Sequence, residues 1–207
     1  MYNNYADIEQ VSLKDIKNND ILLSFDKDDD IVIQKHIQGR TVLVSLLGND
    51  LECRIWYDEE KDNYEETQKI LDDFSQYLQA REEVYEDLLT YLTFYHDNSK
   101  GEQIIIGKWT GDTWIVYDLY DEVTEHWFHP SAVEYFCEAY NLKYEEEIYN
   151  NKFNSLDNII NFMNTINFKE DETGIIIKNT TKLLNNNNSN LSEDQSAYII
   201  IERDMKI

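Results

Sequence analysis

"TWIVYDLYDE", residues 113–122, and "HPSAVEYFCEAYNLKYEEEIYNNKFNSLDNI", residues 129–159, are the stretches on which the fold reading turns. The first is an aromatic and aliphatic run that reads as a strand. In the second, "PSAVEYFCEAY" carries apolar residues at helical steps, with Pro130 in the first turn, where its missing N–H costs nothing. "SLDNIINFMNTI" is the next helix, with Ser155 as its N-cap.

Working outward, "EQIIIGKW" forms a hairpin with that strand around the polar turn Thr110–Asp112. Nearer the N-terminus, the acidic turn "DKDDD" leads into a strand over Ile31–Lys35. "RTVLVSLL" and "LECRIW" make another hairpin about Gly48, Asn49 and Asp50. Between the hairpins, from about Asn63 to His96, apolar residues such as Phe74, Leu78, Leu88 and Leu92 recur at three- and four-residue steps, with acids opposite. "DEEKDNYEE" at Asp58–Glu66 is the solvated start of that region, where carboxylates suit the helix dipole. "SLKDIKNND" reads as a short helix capped by Ser12. Downstream, "TGIIIKN" is a short buried strand, 185–190 ("NNNNSN") a flexible loop, and "SAYIIIERD" a last strand. Strand hairpins alternating with helices, with largely nonlocal pairing and no internal repeat, specify an α+β domain over residues 1–207.

Composition excludes some functions. A hydrophobic share of 42% and an aromatic share of 13% describe a folded chain. Forty-two acidic residues against 18 basic ones give a net charge of -24, a field that repels nucleic-acid phosphates and favours a basic protein surface as partner. Cys53 and Cys137 form no CxxC pair and read as buried thiols of a reducing compartment. With neither a signal peptide nor an apolar run of ~18 residues, a cytoplasmic location is expected. "DLYDEVTEHWFHP" holds His126 and His129 among acids, but without further ligands it reads as a polar loop, so no metal site is assigned.

The order of these pieces resembles the nucleotidyltransferase domain of ATP-dependent RNA ligases, especially the phage RNA ligase 2 group, and more distantly DNA ligases and capping enzymes. The likeness runs over nearly the whole chain. Its most specific part is the pair of stretches quoted first, where Val116-Tyr117-Asp118-Leu119 stands for the Phe-Asp-Ile strand end that lies against adenine in the family. The resemblance implies an ATP-grasp-like nucleotidyltransferase fold, mainly antiparallel sheets flanked by helices. It also implies a nucleotide pocket lined here by Gly39, Tyr117, Asp118 and Lys178. Family ligases usually carry a further C-terminal domain, whereas this sequence ends at the last motif.

Family chemistry proceeds through a lysine–AMP adduct, with the lysine in K-x-x-G and other cations neutralising the triphosphate. In "KHIQGR" the position three residues before Gly39 is His36. Lys35 is one residue early, which on a strand aims it at the opposite face. Histidine can form a phosphoramidate, so His36 is also the candidate for an altered nucleophile. The Gly-Glu motif matches "IIIGKWTG", with Lys108 in place of the glutamate. The Glu-Gly motif matches "ETGIIIKN", which keeps Gly174 and Lys178 but has Thr173 for the glutamate and Glu172 displaced by one. The Lys-x-Lys motif matches "YIIIERDMKI", with Glu202 and Asp204 in the lysine places.

These departures point one way. Two added carboxylates beside a triphosphate would each oppose it by on the order of a few kcal/mol at about 4 Å. The sequence reads as the remains of an active site, a pseudo-ligase acting as decoy or inhibitor of a nucleic-acid-handling partner, in a phage or viral setting by analogy. The alternatives are a working ligase using His36 or Lys35, which alone would require ATP and Mg²⁺, and a nucleotide sensor without chemistry.

Overall fold

The computed structural model describes residues 9–12, 25–55, 63–99, 101–124, 126–181 and 198–202, with the backbone alone for 9–12, 126, 198, 199 and 202. Cα proximity divides the chain into two compact units, Met1–Gln38 with Glu146–Ile207, and Gly39–Glu145. The elements are α+β, with antiparallel pairing dominant.

In the first unit the strands are β1 (Glu9–Ser12), β2 (Asp30–Ile37), β9 (Glu147–Lys152), β10 (Glu172–Asn179) and β11 (Tyr198–Glu202), numbered by their place in the chain. Their order in the sheet is β1-β11-β10-β2-β9, with β1 and β11 parallel and every other neighbour antiparallel. Side chains alternate across the sheet. Ile31 and Ile33 of β2, Ile175 and Ile177 of β10, and Ile201 of β11 form one core face. Ile159 and Met163 of helix α4 (Leu156–Met163) and Phe25 and Phe153 pack onto it. Each such side chain contributes roughly 1.5–3 kcal/mol by leaving water. Ser155 caps α4, its side chain accepting from the Asn158 N–H.

The second unit holds a six-stranded sheet. Its strands are β3 (Arg40–Leu47), β4 (Asp50–Ile55), β5 (Gln103–Trp109), β6 (Trp114–Asp121), β7 (His126–Trp127) and β8 (Lys143–Tyr144). The order is β4-β3-β5-β6-β7, with β8 beside β6 in parallel. Helices α1 (Tyr64–Ala80), α2 (Glu82–Ser99) and α3 (Pro130–Ala139) cover one face through Phe74, Leu78, Leu88, Leu92, Val133 and Phe136.

The helical pattern from Asn63 is two helices, not one run. Asn63 caps α1 by accepting from the Glu65 and Glu66 N–H groups. At Arg81 the backbone leaves the helical region. Its guanidinium donates to the Tyr77 hydroxyl and the Asn141 carbonyl, and these bonds hold the break without glycine or proline.

Two expectations change, and one stretch forms strands that the sequence did not announce. Ser12 closes a parallel edge strand instead of capping a helix, and the rest of that segment, 13–20, lies outside the described residues, as does the 185–190 loop. Cys53 is only partly buried, though Cys137 is buried as expected. "KYEEEIYNNK" contributes β8 and β9, strands with little apolar signature. No helix among the described residues is long and apolar enough to cross a membrane.

Candidate functional site

The end of β2 sets the geometry in the first unit. Lys35 pairs in register with Ile175, and His36 with Gly174, so the two neighbours project to opposite faces. Lys35 lies on the core side with Ile31 and Ile33. Its Nζ donates to Glu172 Oε1 at 2.8 Å, and Glu172, only 3% exposed, also accepts from the Lys169 N–H at 2.7 Å. Burial pulls the Glu172 carboxyl upward, but the Lys35 and Lys169 contacts outweigh it and hold the group below its ordinary range.

A β-bulge makes this arrangement. Glu172 pairs with Ile37 and Gly174 with His36, which leaves Thr173 as the extra residue. Its Oγ1 lies 2.9 Å from His36 Nδ1 and 3.3 Å from the His36 carbonyl oxygen. His36 and Thr173, far apart in the sequence, therefore meet each other at the bulge.

The same row continues onto β11, where Gly174 pairs with Glu202. His36, Gly174 and Glu202 thus form one line across three strands. Lys178 shares their face but sits four residues along β10, roughly 13 Å at ~3.3 Å per residue. It is fully buried, as is Gln34 on β2 between Val32 and His36. The Glu202 side chain and all of Asp204 lie outside the described residues.

In the second unit, Tyr117 and Asp118 are both buried on β6. Ile106 pairs with Asp118 and Gly107 with Val116, so Tyr117 is the extra residue of a second bulge. Lys108 is half-buried on β5, between Thr41 and Ile115, on the face that also carries Ile106 and Asp118. Gly39 has a packing role of its own. A Cβ there would stand 2.6 Å from the Trp109 carbonyl oxygen, so that backbone approach requires glycine.

The polar loop after β6 is used for structure. Asp121 accepts the Tyr95 hydroxyl at 2.6 Å and the Val123 and Thr124 N–H groups, while His129 caps α3 by accepting from the Ser131 N–H. Burial raises the Asp121 carboxyl, but these hydrogen bonds outweigh it and leave the group below its usual range. The partnership of Lys35 with Glu172 and that of His36 with Thr173 escaped sequence reasoning. The adjoining acid in "ETG" was the only signal for the first, and nothing local announced the second.

No family model and no curated protein matches the chain. Solved structures do. A variant of the Naegleria gruberi RNA ligase in its apo form superposes with a TM-score of 0.58 at 14% identity, over 95% of this chain and 54% of that one. The same ligase with PPi gives 0.55 at 11%, over 95% and 55%. An archaeal ATP-dependent RNA ligase gives 0.54 at 11%, over 95% and 47%. The chain spans about half the length of these proteins. Its fold is that of an RNA ligase nucleotidyltransferase domain.

Proposed function

We propose that this chain uses the RNA-ligase-like fold without the adenylation chemistry, and acts by binding a basic partner protein as a decoy or inhibitor of a nucleic-acid-handling enzyme. The observation that carries the reading is the pairing at the end of β2. Lys35, the nearest lysine to the nucleophile position, is on the core face and ion-paired with Glu172, while the nucleophile position itself is His36, hydrogen-bonded to Thr173.

A nucleophilic lysine must be deprotonated and aimed at the α-phosphate. A lysine in an ion pair on the other face of the strand has neither property. The residues at the other motif positions support the same reading, because Glu202 and Asp204 stand where phosphate-binding lysines belong. Binding then falls to the surface, and a net charge of -24 selects basic proteins over nucleic acids. A phage or viral source fits this role by analogy with the ligases that the motifs resemble.

The test is intact-mass spectrometry after incubation with ATP and Mg²⁺ or Mn²⁺, with His36→Ala as control. The expected result is no mass gain in either protein. A gain of one AMP that disappears in His36→Ala would replace this reading with an adenylyltransferase using histidine. Thermal stabilisation by ATP without an adduct would instead support a nucleotide sensor.

A further inference from the structure

The second unit carries a surface whose chemistry is uneven. Helices α2 and α3 lie side by side on the sheet, joined by Tyr91, whose ring centroid is 4.9 Å from Phe136 and 5.1 Å from Tyr140. Tyr95 meets Phe128 beyond the N-terminus of α3, so the helices run antiparallel. Two large aromatic side chains are left in solvent on this pair, Phe94 at 66% and Tyr135 at 74% exposure. Phe94 is one turn from Tyr91 beside the seam, while Tyr135, about 100° round α3 from Phe136, stands on the solvent face of that helix.

Helical spacing supplies a floor between them. Ala132, Tyr135 and Ala139 recur at three- and four-residue steps along α3, and both alanines are exposed. Asp87, Tyr91 and Phe94 recur in the same way on α2. The two helices carry seven exposed carboxylates, five on α2 and two on α3, and neither contains a lysine or arginine. An exposed aromatic pair over small residues, rimmed by one sign of charge, differs from a merely solvated helix face, where such aromatics have no role.

We propose that the α2–α3 seam is the docking surface for a basic protein segment, in which arginine or lysine side chains lay their stems across Phe94 and Tyr135 and carry their heads to Asp87 and Glu138. The inference rests on the basic-partner reading above and names its surface. Charge decides the occupant. A second copy of this chain, a nucleic acid or an anionic membrane would each bring like charge against these carboxylates. A purely apolar partner would strip them of water without replacing it. A guanidinium satisfies both parts of the surface, since it stacks on aromatic rings and pairs with carboxylates.

The test uses the full chain and a labelled peptide of alternating arginine and leucine, with an alternating glutamate–leucine peptide as control. Affinity is read by fluorescence anisotropy and location by amide shift changes in NMR. Because Phe94 and Tyr135 are exposed, Phe94→Ala/Tyr135→Ala should keep the wild-type melting temperature, yet weaken the arginine peptide about tenfold, as loss of aromatic anchors does. Asp87→Asn/Glu138→Gln should weaken it as well, and shift changes should concentrate on α2 and α3. Undiminished binding by the aromatic double variant, or shifts centred elsewhere, would overturn this surface while leaving a basic partner in place. No binding of the arginine peptide would overturn both. An AMP adduct would overturn the noncatalytic reading alone.

Discussion

Thr173 Oγ1 stands 2.9 Å from His36 Nδ1, although the two residues are 137 positions apart in the chain. The contact exists because a bulge in β10 turns Thr173 toward the strand that carries His36. The two side chains thus tie the end of β2 to β10. Replacing Thr173 with valine removes the hydroxyl at nearly constant volume. The expected loss is about 1 kcal/mol, typical of one intramolecular hydrogen bond, and urea denaturation of wild type and Thr173→Val measures it.

The Lys35–Glu172 pair supports a larger effect. Lys35→Met takes one of two lysine contacts from the buried Glu172 carboxylate, at an expected cost of about 2–3 kcal/mol. Lys35→Met/Glu172→Leu replaces both charges by apolar groups and should recover most of that loss. A double variant no more stable than Lys35→Met would show that the pair is not what makes the single change costly.

The same carboxylate predicts a pH dependence. In the folded chain Glu172 titrates below its ordinary value of 4.5, since its lysine contacts outweigh burial. Its contribution is therefore complete above that value and is lost as pH falls through the folded one. The stability difference between wild type and Glu172→Gln should be constant near neutrality and shrink on acidification below about pH 4.5. A difference that grew on acidification would reverse the sign of the shift.

Gly39 allows a direct test of packing. A methyl group there meets the Trp109 carbonyl oxygen, a backbone atom with little room to retreat. Gly39→Ala should cost roughly 1–3 kcal/mol, the range for overpacking. A melting temperature unchanged from wild type would leave the glycine without a packing role.

The thiols offer a simple check of packing. Burial pushes the Cys53 thiol up to about 11, against a hydrogen bond with Ser75 and with Asp50 and Glu52 adding to the rise, and Cys137 is enclosed. Both should resist a thiol reagent at about pH 7.5 and react together on unfolding. Rapid labelling of native Cys53 would place it in a more open setting.

Local pattern announced much of this fold. "IIIG" on β5 and "GIIIK" on β10 read as buried strands because apolar residues on both faces leave an unbroken run. The hairpin at Gly48 was legible because a positive φ of 64° there suits glycine. Edge strand β9, with Asn150, Asn151 and Lys152, was not legible, because an edge is held by backbone hydrogen bonds that any side chain permits. The break at Arg81 was hidden for a related reason, since its stabilising partners Tyr77 and Asn141 come from a helix and a distant turn.

The sequence by itself determined the α+β class, the strand and helix faces that are apolar, and the acidity. Those follow from residue type and short-range spacing, which act before the chain is folded. Only the tertiary structure decided that Lys35 pairs with Glu172, that His36 meets Thr173, and that His36, Gly174 and Glu202 share a row. These depend on strand register and on a one-residue bulge, and a shift of one residue exchanges the faces of a strand. Register is set by the packing of the whole sheet, so no local stretch of the sequence contains it.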